Sequence, residues 1–455
     1  MSESTTPLDS LFSPHASLAA RGIFDIVRRG VQIAQKTVKD SPQDKLIDIL
    51  MTLLSGAQSL VQINTLLRSD RALQQSVGRQ RCSEQSVAQQ TLDAATSENV
   101  DQMQQVLTTL FRQHSQTASH PYRSDWLILD VDLTGMPCGK KAEKSTKGYF
   151  SQHRSRRGRK PRRVLASQYG EIVVDALYPG NTLLLGALPS LIEMAEQVLA
   201  STPFKRKHTI IRLDAGGGSV ASLNSLLSRG YAVVSKDYSA QRVSRLVKSV
   251  TQWVDDPQQP DRQVGWVREQ SLDYVRPVRR LAVRSKSSKG RWQSAVLLFA
   301  GLDDHDILTL TGEPLLSDEA TIMRAFLHFY DQRGGGIETS FSEDKSGLGI
   351  TKRNKKRFEA QRLLMLSGTL AHNLLIWSRR WLCQTSPEQA GRLRQYGIKR
   401  MLRDLYQISG ILSFDKRGRL RVITLQSASS LAKLMLVPPR QLLAPSSIVV
   451  ILDKT

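Results

Sequence analysis

The chain has 455 residues, enough for about three domains or one large enzyme domain with attachments, and carries 64 Lys+Arg against 41 Asp+Glu, a formal charge of +23. With 40% apolar and 23% charged residues it has the composition of a folded protein rather than a disordered basic tail. No apolar run nears the ~18 residues of a membrane span and the N-terminus lacks an export signal; Cys82, Cys138 and Cys383 are too scattered for a disulfide framework or a zinc site, so a cytoplasmic protein is expected.

Residues 1–120 are expected to be helical and to form a DNA-binding region, with Arg28, Arg29, Lys36 and the basic residues of 68–81 on offer; no helix-turn-helix pattern stands out, and the alternative is a simple packing domain. Ser41-Pro42 supplies an N-cap and a first-turn proline, the leucines and isoleucines of 46–54 repeat at helical spacing, and Gly56 ends the run. Further helices are expected over 83–95 and 100–111. The texture changes at Trp126. Strands are predicted over 126–132, 163–167, 171–177, 208–214 and 231–235, with helices over 188–199 and 220–228. The order β-β-β-α-β-α-β predicts an α/β fold, a mixed sheet with helices on its faces, as the first part (121–236) of a catalytic domain. Residues 237–317 read as a β-rich insertion, helix resumes over 319–330 and 336–381 to complete the domain within 318–384, and 385–455 form a mixed segment with a helix over 389–412 and a hairpin over 411–424.

The charge is concentrated. Residues 140–163 hold eleven Lys+Arg and one acid, 276–291 hold seven and none, and 352–357 hold five and none, leaving the rest of the chain nearly neutral. Three basic clusters on a neutral body suggest a polyanion footprint, because each phosphate contact requires a local cation. The alternative is solvated loops without a ligand. A phospholipid surface fits less well, since no cluster lies on an amphipathic apolar helix. Gly216-Gly-Gly-Ser219 lacks the Lys-Ser/Thr of a P-loop, so no nucleotide cofactor is expected.

Acids stand where strands end. Asp130 and Asp132 are two apart, so alternation puts both on one side of the sheet, and Asp214 closes an apolar strand before a glycine turn. Taken singly, each is most often a solvated turn residue or a helix cap. One acid in the first strand, a second after the fourth and a third on a late helix is the RNase H-like layout that holds two divalent ions against a phosphodiester.

The late segment Tyr330-Asp-Gln-Arg333-Gly-Gly-Gly-Ile-Glu338-Thr-Ser-Phe-Ser-Glu-Asp-Lys345 resembles the Y-x2-R-x3-E-x6-K signature of bacterial insertion-sequence DDE transposases. Asp132-Leu-Thr134 resembles the family's D-x-T opening, and Asp214-Ala-Gly-Gly-Gly-Ser resembles its second-acid region. The likeness extends over about residues 125–382. It departs at one point: four residues, not three, separate Arg333 from Glu338, and Gly334-Gly335-Gly336 predicts a loop that absorbs the extra residue before the helix carrying Glu338.

The resemblance implies Asp132, Asp214 and Glu338 as ligands of two Mg²⁺ ions, with Mn²⁺ as a substitute and Asp130 as the alternative to Asp132. It implies Tyr330, Arg333 and Lys345 on DNA phosphates, a partner of double-stranded DNA comprising terminal repeats and target, a hairpin intermediate and a homodimer holding two ends. Arg156, Arg157, Arg159 and Lys160 in the first cluster, and Lys352, Arg353, Lys355, Lys356 and Arg357 in the third, are expected phosphate contacts. Trp292 is expected in a core, as strand tryptophans usually are, while the resemblance implies stacking on an extruded base. The expected function is transposition, cleaving element ends and joining the 3′-hydroxyls to target DNA. The alternatives are a non-catalytic DNA-binding derivative and a stand-alone Mg²⁺-dependent nuclease.

Overall fold

A computed structural model describes residues 21–36, 39–76, 79–150, 153–269 and 273–407, with Leu18 and the stretches 410–415, 420–425 and 449–452. Four principal helices open it: α1 (Ile23–Gly30), α2 (Pro42–Leu54), α3 (Gln85–Ala94) and α4 (Ser97–His114). Ser41 caps α2 as expected, its Oγ accepting Asp44 N–H at 3.0 Å. A capping box between Thr96 and Asn99 starts α4 earlier than its apolar spacing suggested.

The sheet contains β1 (Leu127–Leu133), β2 (Met136–Pro137), β3 (Thr146–Phe150), β4 (His153–Ala166), β5 (Glu171–Pro179), β6 (Thr209–Leu213), β7 (Ala232–Lys236), β8 (Val254–Asp255), β9 (Arg262–Trp266), β10 (Arg279–Lys286) and β11 (Trp292–Ala300). Its order is β2-β4-β1-β6-β7-β11-β10-β9-β8, with β3 and β5 also pairing with β4. β4 runs antiparallel to β1, while β1, β6 and β7 are mutually parallel. This is the mixed α/β sheet, flanked by helices, expected from the chain order. β8 to β11 join the same sheet, because β11 pairs antiparallel with β7; the insertion enlarges the central sheet.

Alternation along β1 assigns the faces. Leu127, Leu129 and Val131 pack into a core shared with α5 (Leu184–Leu199), α6 (Val220–Ser228), the N-terminal helices and the later helix of residues 358–385. The helix expected over 188–199 begins four residues earlier, at Leu184, with Pro189 inside it. After α7 (Ala240–Val247), the helices α8 (Asp304–Thr311) and α9 (Glu319–Arg333) cover the other face, with Ile128, Ile210, Val234, Phe299 and Phe326 between them and the strands. Asp130 and Asp132 share the α9 face.

From Arg333 the helix does not break. A π-helical turn, Gly334–Glu338, leads directly into α10 (Thr339–Ser346), so the glycine loop expected from the sequence is corrected to a widened helical turn. Ile337, buried with Leu165, Ile172 and Phe341, holds this segment on the sheet despite its glycines. α11 (Phe358–Thr385) then crosses the core face. The helix expected over 389–412 is broken into short pieces, Ala390–Leu393, Ile398–Met401 and Leu402–Tyr406. The C-terminal hairpin is present as β12 (Gly410–Phe414) and β13 (Leu420–Leu425), and β14 (Val449–Leu452) joins it; the turn of that hairpin lies outside the described residues.

Candidate active site

The parallel pairing of β1 with β6 brings their carboxyl ends together, Val131 opposite Leu213, so Asp132 and Asp214 emerge side by side at one edge of the sheet. Asp132 Oδ1 accepts the N–H of Leu133 at 2.7 Å and Oδ2 faces Arg333 Nη2 at 2.9 Å. Burial pushes the Asp132 carboxyl up to about 6; Arg333 opposes that rise and Asp214 adds to it. Asp214 Oδ1 is buried and has no hydrogen-bond partner among the described residues. A side chain at Gly216 would place a Cβ 3.0 Å from that oxygen, and one at Gly218 would collide with the carbonyl of Lys236. The glycine turn is therefore set by close approach.

The helical segment brings the remaining groups. Arg333 Nη1 lies 3.7 Å from Glu338 Oε1, and the Glu338 side chain is 64% exposed. Lys345 Nζ donates to Thr134 Oγ1, so the threonine and lysine of the two separated motifs meet. Burial lowers the Lys345 amine while Asp132 opposes the shift, and burial pushes the Tyr330 phenol up to about 12, with Arg333, Asp214 and Asp132 acting on it. Tyr330, Arg333, Lys345, Asp132 and Asp214 thus belong to one electrostatic cluster.

Asp130 is engaged elsewhere. It is 0% exposed, and Arg212 approaches its two oxygens through Nε at 2.6 Å and Nη2 at 2.9 Å, with Ser167 Oγ as a further donor. Arg212 also donates to Phe329 O at 2.7 Å, tying β1 and β6 to α9. Arg212 holds both oxygens of Asp130 from within the sheet, whereas Asp132 is held by Leu133 N–H and by Arg333 of the helical segment, and Asp214 Oδ1 has no hydrogen-bond partner among the described residues.

Oxygen donors of this kind suit a hard divalent cation, and the orphaned Asp214 Oδ1 is a place for one. Asp132, Asp214 and Glu338 do not draw within 4.8 Å of one another as they stand, with Arg333 between the first and the third. Among the described residues the group that meets that spacing is Asp303, His305 and Asp306, at the start of α8, where Asp303 and Asp306 form a capping box. These residues lie at the opposite ends of the strands from Asp132, where Trp126 Nε1, just before β1, donates to Asp306 at 3.0 Å, and they are accounted for by the helix start.

The basic clusters divide. β4 continues past the carboxyl end of β1, and β10 and β11 continue past that of β7, so both hairpins project from the edge that carries Asp132 and Asp214. Arg156 and Arg157 are exposed on the first. Trp292, expected in a core, is instead 44% exposed near the tip of the second, with Arg284 4.8 Å and Lys286 5.3 Å from its ring. Arg284 also sits 4.0 Å from the Trp253 ring, forming a cation–aromatic stack. The loop 350–357 packs beside β2, where Asn354 donates to Pro137 O, and exposes Lys352, Lys356 and Arg357.

Four expected surface cations are buried. Arg159 donates to the carbonyls of Glu143, Lys355 and Lys356, Lys160 lies over Phe150, and Lys355 donates to Gln89 Oε1 at 2.6 Å. Burial lowers the Lys355 amine to about 8 and the Arg353 guanidinium, which has no hydrogen-bond partner among the described residues, to about 10.

Sequence reasoning missed the supports behind the acids. Arg163 is buried between Asp175 at 2.8 Å and Asp344 at 2.7 Å, and Asp344 is also held by His372 Nδ1 at 2.7 Å. This network ties α10 to β4, β5 and α11. Its partners are distant in sequence, and Arg163 had been counted in a basic run.

The sequence model of the family described as "Transposase DDE domain group 1" matches residues 21–399. The chain belongs to that family of transposases. Among solved structures it is similar to the piggyBac transposase synaptic complex with hairpin DNA, at 13% identity and a TM-score of 0.48, covering 86% of this chain and 78% of that one. No curated protein matches the sequence. No helix among the described residues is long and apolar enough to cross a membrane.

Proposed function

We propose that the protein is a cytoplasmic DNA transposase that cleaves the ends of its element and joins the resulting 3′-hydroxyls to target DNA, with Asp132, Asp214 and Glu338 as the carboxylates that hold two Mg²⁺ ions. The observation that carries this reading is the convergence of Asp132, Asp214, Tyr330, Arg333 and Lys345 on one edge, together with the unpartnered buried oxygen of Asp214. Held by these three carboxylates, divalent cations would supply activation of the attacking oxygen and stabilisation of the leaving one. The chain's own residues position the DNA: Lys345 and Tyr330 beside the acids, and Arg156, Arg157, Lys352, Lys356 and Arg357 along the flanks, contact phosphates. Arg159, Lys160, Arg353 and Lys355 support the fold beneath that surface. The exposed Trp292, with its flanking cations, suits stacking on an unpaired base.

Residues 1–120 supply a second DNA surface. A cleft of about 870 Å³ there is lined by Lys36, Lys39 and Arg81, with Asp40 and Glu84 also in its wall. Two copies of the chain hold two element ends in this reading.

The test is cation-dependent nicking of plasmid DNA carrying the sequences that flank the gene. Wild type nicks at the element ends with Mg²⁺; Asp132→Asn, Asp214→Asn and Glu338→Gln each lower the rate at least 100-fold while duplex affinity stays within about threefold. Nicking retained in Asp132→Asn and lost in Asp130→Asn would transfer the role to Asp130. Duplex binding without Mg²⁺-dependent nicking by wild type would favour a binding protein instead.

A further inference from the structure

The π turn contains a contradiction of local preferences. Gly334 has helical backbone angles, φ −61° and ψ −41°, and a Cβ on either Gly334 or Gly335 would meet nothing within 4 Å. Alanine fits both positions and is the better helix former, so packing does not explain these two glycines. Gly336 differs: a Cβ there would sit 3.0 Å from Asp130 Oδ2 and 3.3 Å from Ser167 Oγ, so its bareness is set by contact with β1 and the end of β4. Arg333, just before the turn, bridges Asp132 at 2.9 Å and Glu338 at 3.7 Å, occupying the space between two carboxylates of the site.

We propose that Gly334 and Gly335 are positioning residues for the third carboxylate: their turn holds Glu338 on Arg333 in the cation-free site, and shifts its helical register when a divalent cation binds, turning Glu338 toward Asp132 and Asp214. A π turn holds one residue more than an α turn, and moving that extra residue along a helix rotates the side chains it passes by roughly 100°. Glycines lower the cost of that movement because they resist neither conformation strongly. Arg333 serves as the internal counterion of the unloaded site and gives up Glu338 on loading. This rests on the acids forming the cation site.

The experiment uses the full chain without DNA and Mn²⁺ as the probe. Gly334→Ala/Gly335→Ala raises the melting temperature by several degrees, yet weakens calorimetric Mn²⁺ affinity at least tenfold; a merely structural role would move both in the same direction. In the unaltered chain, hydrogen exchange at the amides of residues 335–340 changes when Mn²⁺ is added. Mn²⁺ affinity within twofold of wild type in the alanine variant, or unchanged exchange at those amides, overturns the proposal. Unaltered Mn²⁺ affinity combined with weaker duplex binding would instead assign the glycines to backbone clearance for DNA, which also overturns it. Asp214→Asn separates the two readings. Mn²⁺ binding lost there but unchanged in the alanine variant defeats the register shift alone, whereas no binding by wild type, or undiminished binding by Asp214→Asn, defeats the cation site and the shift together.

Discussion

Two sets of cations in the same short segments have opposite fates. Arg159, Lys160, Arg162, Arg163, Arg353 and Lys355 are buried, whereas Arg156, Arg157, Lys352, Lys356 and Arg357 face solvent. Arg163 and Arg156 lie on the same strand, yet the first is closed between two aspartates and the second is exposed on the extension of β4 that pairs with β3. A run of positive charge therefore does not define a nucleic-acid surface by its count. What separates the two sets is whether other elements close over the residue: Arg163 meets two carboxylates and Arg159 three carbonyls, Lys160 lies over Phe150, and Arg353 is covered without a hydrogen-bond partner among the described residues.

That contrast orders the consequences of substitution. Arg163→Ala has the largest expected effect on folding, a loss of about 3–5 kcal/mol in denaturant unfolding, because it leaves Asp175 and Asp344 buried without their shared cation. His372 and Arg163 outweigh burial and hold the Asp344 carboxyl below its ordinary range, so the network's contribution is present above the ordinary pKa of aspartate and is lost as pH falls through the lowered value. An unfolding midpoint unchanged by Arg163→Ala would remove the distinction between the sets.

Next is the exposed set. The triple variant Arg156→Gln/Lys352→Gln/Lys356→Gln leaves stability unchanged but makes the dependence of log affinity for duplex on log salt shallower by about 2.7, at ~0.9 per phosphate contact. An unchanged salt slope would take these residues off the DNA path. The smallest effect belongs to Lys355→Met. Its amine is lowered to about 8, so the folded chain releases this proton before the unfolded one and stability rises between about pH 8 and 10.5. The methionine variant flattens that rise and leaves duplex affinity as it was; a loss of affinity would place Lys355 back at the surface.

The sheet and its acids were legible in the sequence because their signals are local. Buried runs such as Leu127–Val131 identify strands, and short spacings link Asp132 to Thr134 and Glu338 to Lys345, whose partners then meet through Lys345 and Thr134. Three features were not. Asp130 and Asp132 share one alternation and are distinguished by Arg212, a residue opposite Asp130 on the neighbouring strand. The basic stretch before Arg163 did not signal a strand, since its pairing with β3 and β5 is a property of the assembled sheet. The glycine triplet predicted a loop, but Ile337 in the core and the close contact of Gly336 with Asp130 keep the segment helical. Local propensity is overruled there by packing.

The central claim is that Asp132, Asp214 and Glu338 act together on DNA. The most direct measurement supplies a pre-cleaved element end with a free 3′-hydroxyl, target plasmid and Mg²⁺, and counts joined ends for wild type and for Asp132→Asn, Asp214→Asn and Glu338→Gln. The account predicts joining by wild type and none by any single variant that still binds the end. Joining at the wild-type rate by any one of the three would contradict it.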